Sequence, residues 1–385
     1  MKDANKKQRF LSNTLGLYIH IPFCIKKCAY CDFNSYDNMA FLIDDYLNAV
    51  LKEIRINKES LDLNFRTLYI GGGTPTFLNI KQLNDFFSEL YSIINKNALE
   101  EITIEANPET INEEKVKLLK SHVNRISLGV QSFSNGFLKK LGRIHTAGKA
   151  YSAAEIIKKH ISNFSIDLIY GMPDEKKEDV FSDIKKTIGL SPKHISFYML
   201  TVYHNTKYFD MLQAKSITLP DDEEIEGIYL DSINMLEKNL YKQYEISNFA
   251  KQGYECMHNL NYWNMGQYLG VGAGAASFVN SSRSKNIDDP AEYVTRISNN
   301  EDATAETDVY DAVKYEKDYI MLNLRKKSGV NRLEFRRVFK IDFYQKYCKI
   351  IDNFANDGLI IKSEENISLT KKGFLLSNSV IEEFF

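Results

Sequence analysis

The sequence predicts an α/β fold: a mostly parallel sheet, closed or partly closed like a barrel, followed by a small C-terminal helical and winged-helix-like unit. Three observations predict it. Short apolar runs alternate with longer amphipathic stretches from about Leu17 to Ala276. Several of those runs are nearly all apolar and bounded by Gly, Pro or Asn, as expected of strands buried on both faces. The tail "NDGLIIKSEENISLTKKGFLLSNSVIEEFF" reads as a helix end, a two-stranded hairpin and a last helix.

The expected strands, in order, are Leu17–Ile21, Thr67–Ile70, Ile102–Ala106, Arg125–Val130, Ser165–Tyr170, His194–Leu200 and Tyr244–Asn248. Between them Leu42, Tyr46, Leu47, Val50, Leu51 and Ile54 recur at helical spacing. So do Leu83, Phe86, Phe87, Leu90 and Ile94, and later Val180, Phe181, Ile184 and Ile188. Repeated strand–helix units build a parallel sheet, and periodicity does not choose between an open sheet and a barrel. Residues 1–16 read as an N-terminal segment, 17–278 as the barrel domain, 279–309 as a connection rich in Ser, Asn and charge, and 310–385 as the helical and winged domain.

The bulk composition excludes little but is informative. With 44% hydrophobic and 26% charged residues, the 385-residue chain suits a globular fold with a sizeable core. The net charge of -2 supplies no global field toward nucleic acid, and no basic stripe marks a recognition helix in the C-terminal unit. Nucleic-acid binding through that unit is the weakest of the functional readings. Met1 to Phe10 lacks the apolar core of a signal peptide, and no apolar run approaches the roughly 20 residues of a membrane helix, so the cytoplasm is expected. The five cysteines, Cys24, Cys28, Cys31, Cys256 and Cys348, are odd in number and three are packed together. That pattern suits metal or redox chemistry rather than a disulfide framework.

The densest chemistry lies in "LYIHIPFCIKKCAYCDFNSY", directly after the first strand. Three thiolates on one short loop can converge on one iron–sulfur cluster, and a four-iron cluster with three protein ligands keeps one iron open to a small molecule. Lys26 and Lys27 are expected to favour thiolate. A zinc site completed by a residue such as His20 is the alternative reading. Further along, "GGGTP" at Gly71 to Pro75 allows close backbone approach to a ligand. Glu105, Gln131, Arg143 and Asp167 place polar groups at or near strand ends, where a barrel keeps its active site.

The CxxxCxxC loop resembles the signature of the radical S-adenosylmethionine superfamily, and the ordered set that follows resembles its oxygen-independent coproporphyrinogen III oxidase family. The resemblance runs from about Leu17 to the C-terminus. It implies a partial (β/α) TIM-like barrel and a [4Fe-4S] cluster on Cys24, Cys28 and Cys31. The open iron is then chelated by S-adenosylmethionine, whose sulfonium bond one electron breaks. It further implies contacts to S-adenosylmethionine from Tyr18, Gly72, Gly73, Thr74, Glu105, Gln131, Arg143 and Asp167, with Tyr30 near the adenine. One departure is "FYMLTVYHNT", which lacks the acidic residue and glycine of the family's sixth strand end.

Within that family three features favour the haem-chaperone branch over the oxidase. Phe33 stands where the oxidase has a further cysteine. Only 23 residues precede Cys24, fewer than in the oxidase. The string His258, Asn259, Tyr262, Trp263 resembles the branch's HNxxYW hallmark. His258 could be an axial haem ligand, and Tyr262 and Trp263 offer flat apolar area. The small residues of "YLGVGAGAASF" are expected to leave space beside a planar ligand. The resemblance therefore implies haem as cargo, a haem-acceptor protein in a respiratory system as partner, and a reductant for the cluster. Oxidative decarboxylation of coproporphyrinogen III is the alternative activity, and it is not the expected one. Cys256 reads as a buried inert thiol, with a thiolate or covalent partner as the alternative, Cys348 as core, and His145 and His204 as surface or core residues, with a place facing the site as the alternative.

Overall fold

The computed structural model describes residues 15–61 and 63–385. The expected N-terminal segment lies outside them except for Leu15 and Gly16, which open the first strand. Six strand–helix units follow in order. They are β1 Leu15–Ile21 and α1 Ile43–Leu61, β2 Phe65–Gly72 and α2 Ile80–Ile93, β3 Glu101–Ala106 and α3 Glu113–Lys120. Then come β4 Arg125–Gln131 with α4 Asn135–Lys140 and α5 Ala147–His160, β5 Phe164–Tyr170 with α6 Lys177–Leu190, and β6 His194–Met199 with α7 Lys207–Gln213 and α8 Asp222–Lys238. The helix starts are set by side-chain caps: Asn79, Asn112, Thr146, Thr206 and Asp221 each accept from a backbone N–H of the first turn.

β1 to β6 pair in parallel, each with the next. The run expected as a seventh strand, Tyr244–Asn248, instead forms a turn between β7 Lys242–Gln243 and β8 Asn248–Ala250. β8 runs antiparallel to β6. The buried Glu245 carboxylate folds back to accept from Ser247 N at 3.3 Å, which bends that segment. On the far side of β1 lies an unexpected parallel neighbour, β9 Tyr268–Val271, reached through the short helix α9 Met257–Trp263. The 12-stranded sheet ends in β7 on one side and β12 on the other, so the barrel is partial.

The expected connection, residues 279–309, is structured. β10 Ala276–Val279, β11 Ser282–Asn286 and β12 Thr304–Val309 extend the sheet, and α10 Pro290–Ser298 packs on α1. Beyond it are α11 Ala312–Leu324, β13 Val330–Asn331, α12 Arg332–Phe339 and α13 Phe343–Asn356. β14 Ile360–Lys362, β15 Asn366–Leu369, α14 Lys371–Leu375 and α15 Ser377–Glu382 complete the unit. Its antiparallel sheet has the order β13–β15–β14. Phe335, Phe343 and Phe374 are buried in a core continuous with that of the barrel.

The strands are less uniformly apolar than their runs suggest. Alternate residues point to opposite faces of a strand. On β4, Ile126, Leu128 and Val130 are fully buried in the core, while Arg125, Ser127, Gly129 and Gln131 line the lumen. On β6, Ile195 and Phe197 lie in the core, while His194, Ser196 and Tyr198 line the lumen. Asp167 of β5 and Glu105 of β3 join them. A barrel interior usually fills with branched apolar side chains. This one is polar, and a cavity runs through it.

Candidate functional site

The lumen cavity, of about 350 Å³, opens at the loop after β1. Cys24, Cys28 and Cys31 all line it, together with Tyr30, Gly72, Gly73, Thr74, Glu105, Gln131, Arg143 and Asp167. Apart from Tyr18, every residue expected around the cluster and S-adenosylmethionine faces this one space. Tyr18 lies beside it, in a second and more open cavity of about 760 Å³. The two cavities share Cys31, Asp32, Phe33, Gly72 and Glu105 as a common wall.

Each thiol sits among donors. Arg143 Nη1 donates to Cys28 Sγ at 3.4 Å, and Thr74 Oγ1 to Cys24 Sγ at 3.7 Å. Asn107, which sequence reasoning missed, ties these two donors together. Its Nδ2 donates to Thr74 Oγ1 at 2.7 Å, and its Oδ1 accepts from Arg143 Nη2 at 2.6 Å. Gly73 brings the backbone against the cysteine loop, since a Cβ there would meet Phe23 O at 2.8 Å and Cys24 Sγ at 2.9 Å. Lys27 does lower the Cys31 thiol, in the expected direction. Burial is the larger influence, raising Cys31 all the same and pushing Cys24 up to about 11. Metal must therefore displace the protons.

The donor set fits a polynuclear cluster. Cys24, Cys28 and Cys31 face one space from a single loop, the three-thiolate donor set that leaves one iron of a four-iron cluster open. His20 is no fourth ligand in this arrangement, because its Nε2 meets Asn34 O at 2.8 Å and its Nδ1 meets Tyr18 Oη at 2.9 Å. The set also fits an amino-acid cosubstrate. Arg143 is nearly fully buried, yet its Nε has no partner. Glu105 accepts from Tyr69 Oη at 2.8 Å and Gly72 N at 3.1 Å, and burial pushes its carboxyl up to about 7 despite those bonds. Asp167 accepts from Ser127 Oγ at 3.0 Å and Ser165 Oγ at 3.1 Å, and burial raises it too. Gln131 sits at a break in the β4–β5 register with φ 66°, which re-aims its side chain.

The haem-string residues are divided between the two cavities and the core. His258 was expected to offer a ring nitrogen to iron. It is fully buried, with Nδ1 2.8 Å from Thr67 Oγ1 and Nε2 2.7 Å from Tyr262 Oη. Its ring stacks on Tyr69 with centroids 5.2 Å apart, and Gly16 gives it room, because a Cβ there would meet His258 Cε1 at 2.9 Å. Burial, with the Arg125 charge, lowers its pKa to about 3. With both nitrogens engaged and neither cavity in front of it, His258 is not placed as a ligand. Tyr262 does line the open cavity, Asn259 lines the lumen, and Trp263 lines neither. Of the small residues near β9 and β10, Gly274 and Ala276 line the open cavity, and Gly274, φ +73°, also packs closely, because a Cβ there would meet Asn34 Nδ2 at 2.4 Å.

Other lumen groups escaped the sequence reading, notably Arg125, Ser127, His194 and Ser196. The signal was present in the strict alternation of "RISLGVQ" and "HISFY". Beneath the lumen, Glu101 accepts from Met257 N at 2.9 Å and His258 N at 3.1 Å, so it caps α9. Cys256 is fully buried and donates to the same carboxylate at 3.3 Å, as a structural thiol would. His145 is likewise engaged at both nitrogens, by Glu109 and Val130 O.

Comparison with known proteins places this arrangement. The radical SAM superfamily model matches residues 18–186. A Lactococcus lactis protein described as heme chaperone HemW is 37% identical over 370 residues, covering 95% of this chain and 96% of its own. The Bacillus subtilis protein of the same description is 34% identical over 371 residues, covering 95% and 98%. Among solved structures, coproporphyrinogen III oxidase HemN from Escherichia coli superposes with a TM-score of 0.83 at 23% identity, covering 98% of this chain and 91% of its own, which is a likeness of fold. With identity of that degree along nearly its whole length, the chain belongs to the HemW family of the radical SAM superfamily.

Proposed function

We propose that this chain is a haem chaperone that holds a [4Fe-4S] cluster, S-adenosylmethionine and haem, and passes the haem to an acceptor protein. One observation carries the reading: the cysteine-lined lumen and an open, aromatic-lined cavity share a wall. A cofactor in the first therefore borders cargo in the second. The names of the relatives support haem as that cargo.

Cys24, Cys28 and Cys31 would hold the cluster. A bound cluster and cosubstrate supply one-electron reductive cleavage of a sulfonium bond. Arg143 would pair with a carboxylate, and its bond to Cys28 fixes the guanidinium beside the thiolate. Glu105 would take an ammonium group, assisted by the backbone at Gly72, Gly73 and Thr74. Asp167 and Gln131 would accept from hydroxyls. Tyr18 would close the boundary between the two spaces.

The open cavity is lined by Phe33, Tyr36, Tyr262 and Tyr268, whose faces would exclude water from a planar macrocycle. Its volume falls within the roughly 300–1,000 Å³ common to small-molecule sites. The reading requires a haem acceptor and a reductant as partners, and a reducing compartment such as the cytoplasm to keep the thiols reduced. Among the described residues no helix is long and apolar enough to cross a membrane.

The test is haem titration and a coproporphyrinogen III decarboxylation assay on the same anaerobically reconstituted sample. Haem binding without decarboxylation is expected. Vinyl-porphyrin product would overturn the chaperone reading in favour of the oxidase.

A further inference from the structure

Two tyrosines that line the open cavity are each bonded to a histidine, Tyr18 to His20, which lines the cavity too, and Tyr262 to His258, which is buried behind it. The second nitrogen of each imidazole distinguishes them. His20 Nε2 meets the Asn34 carbonyl oxygen at 2.8 Å. A carbonyl only accepts, so Nε2 carries the proton and Nδ1 can only accept from the Tyr18 hydroxyl. His258 Nδ1 meets Thr67 Oγ1 at 2.8 Å. A hydroxyl donates or accepts, so neutral His258 can hold its proton on either nitrogen. With the proton on Nδ1, Nε2 accepts from the Tyr262 phenol. With the proton on Nε2, the ring donates to a Tyr262 phenolate, and the Thr67 hydroxyl donates to Nδ1. The Tyr262 pair thus serves both states of its phenol without charging the buried ring, whereas the Tyr18 pair serves one.

We propose that Tyr262 is the axial ligand of ferric porphyrin iron in the open cavity, with His258 as the hydrogen-bond partner that steadies its phenolate. This rests on the haem-chaperone reading and assigns the iron ligand within it. Tyrosine oxygen is an established haem ligand in proteins. On binding, the Tyr262 O–H bond breaks and an O–Fe bond forms. The step runs from the tautomer with the proton on Nε2, in which Tyr262 Oη accepts from His258 and Thr67 donates to Nδ1, so the phenolic proton is lost to solvent with no change at the ring and the iron stays ferric. Tyr268 packs edge-on against Tyr262, with centroids 4.5 Å apart and planes at 76°, and so fixes the ring. Lys27 and Lys285 line the same cavity and offer ammonium groups to the propionates, although Lys27 also donates to Phe33 O at 3.1 Å and Lys285 pairs with Asp288 at 2.8 Å.

The test is ferric haem titration of the full chain with its cluster reconstituted, read by visible absorption and resonance Raman. Wild type should show the charge-transfer band and ring vibrations of a ferric phenolate. Tyr262→Phe should lose both and bind haem about tenfold more weakly or worse, with its thermal unfolding retained. Tyr18→Phe should keep the phenolate signature. Iron-free protoporphyrin needs no axial ligand, so Tyr262→Phe should bind it as wild type does. A phenolate signature that survives in Tyr262→Phe, or disappears in Tyr18→Phe instead, overturns the assignment. So does haem bound by wild type with no phenolate signature, which leaves the chaperone reading intact. Wild type that binds no haem at all defeats the chaperone reading itself.

Discussion

Arg143 shows how much a single residue carries here. Its guanidinium reaches Cys28, Asn107 and the Gly129 carbonyl, and its Nε remains without a partner. Hydrogen bonds to charged groups contribute roughly 1.5–3 kcal/mol each. Arg143→Ala should therefore weaken S-adenosylmethionine binding about tenfold or more, as read by calorimetric titration, while unchanged affinity would remove Arg143 from the site. Each of Cys24→Ala, Cys28→Ala and Cys31→Ala should abolish the four-iron absorption and electron-spin signals. Cys256→Ala and Cys348→Ala should retain them. Zinc in place of iron after anaerobic reconstitution would contradict that ligand set. Glu105 gives a pH prediction. Its folded pKa is raised from 4.5 to about 7, so between those values the folded chain holds a proton that the unfolded chain has released. Stability contributed by that proton is present at low pH and lost as pH rises through the window. In urea unfolding of the metal-free chain, Glu105→Gln should gain on wild type from pH 4.5 to 7 by up to about 3 kcal/mol. No change across that range would contradict the buried, proton-holding carboxyl. The residues legible in advance were those whose chemistry is local. Three cysteines on one loop are visible in sequence order, whereas the closure of His258 by Thr67 and Tyr262 depends on contacts between β2 and α9.

Among the elements, α9 shows what periodicity could not supply. The helix has only seven residues, and its position is fixed from β3. Glu101, at the start of that strand, accepts from the helix's first two N–H groups and from Cys256. Glu101→Ala leaves these buried donors unsatisfied and should cost about 2–4 kcal/mol of unfolding free energy. A loss below about 0.5 kcal/mol, the usual size for a surface change, would mean that α9 is held by other contacts. The parallel strands were legible because their outward-facing residues form the core. Their inward faces were misjudged, because Ser, Asp and Arg at alternate positions break an apolar run without ending the strand. The turn at Glu245 and the strand β9 were missed for different reasons. The first is bent by its own side chain, and the second is four residues long and pairs with β1 from far along the chain.

For the whole molecule, the consequence is a partial barrel with a polar lumen and an open flank. The barrel class was legible from the alternation of strands and helices. The incomplete closure was not, because it depends on β8 turning antiparallel and on β10 to β12 extending the sheet where a connection was expected. The central claim is that the lumen and the flank are occupied together, cofactor on one side of the shared wall and cargo on the other. The most direct measurement is stoichiometry on one sample: iron, acid-labile sulfide and haem per chain, after anaerobic reconstitution and removal of unbound haem. The account predicts a full four-iron cluster and one haem on the same chain, with the cluster's spin signal perturbed when haem is added. Haem that binds only as the cluster is lost would contradict it, because the two would then be competing for one space.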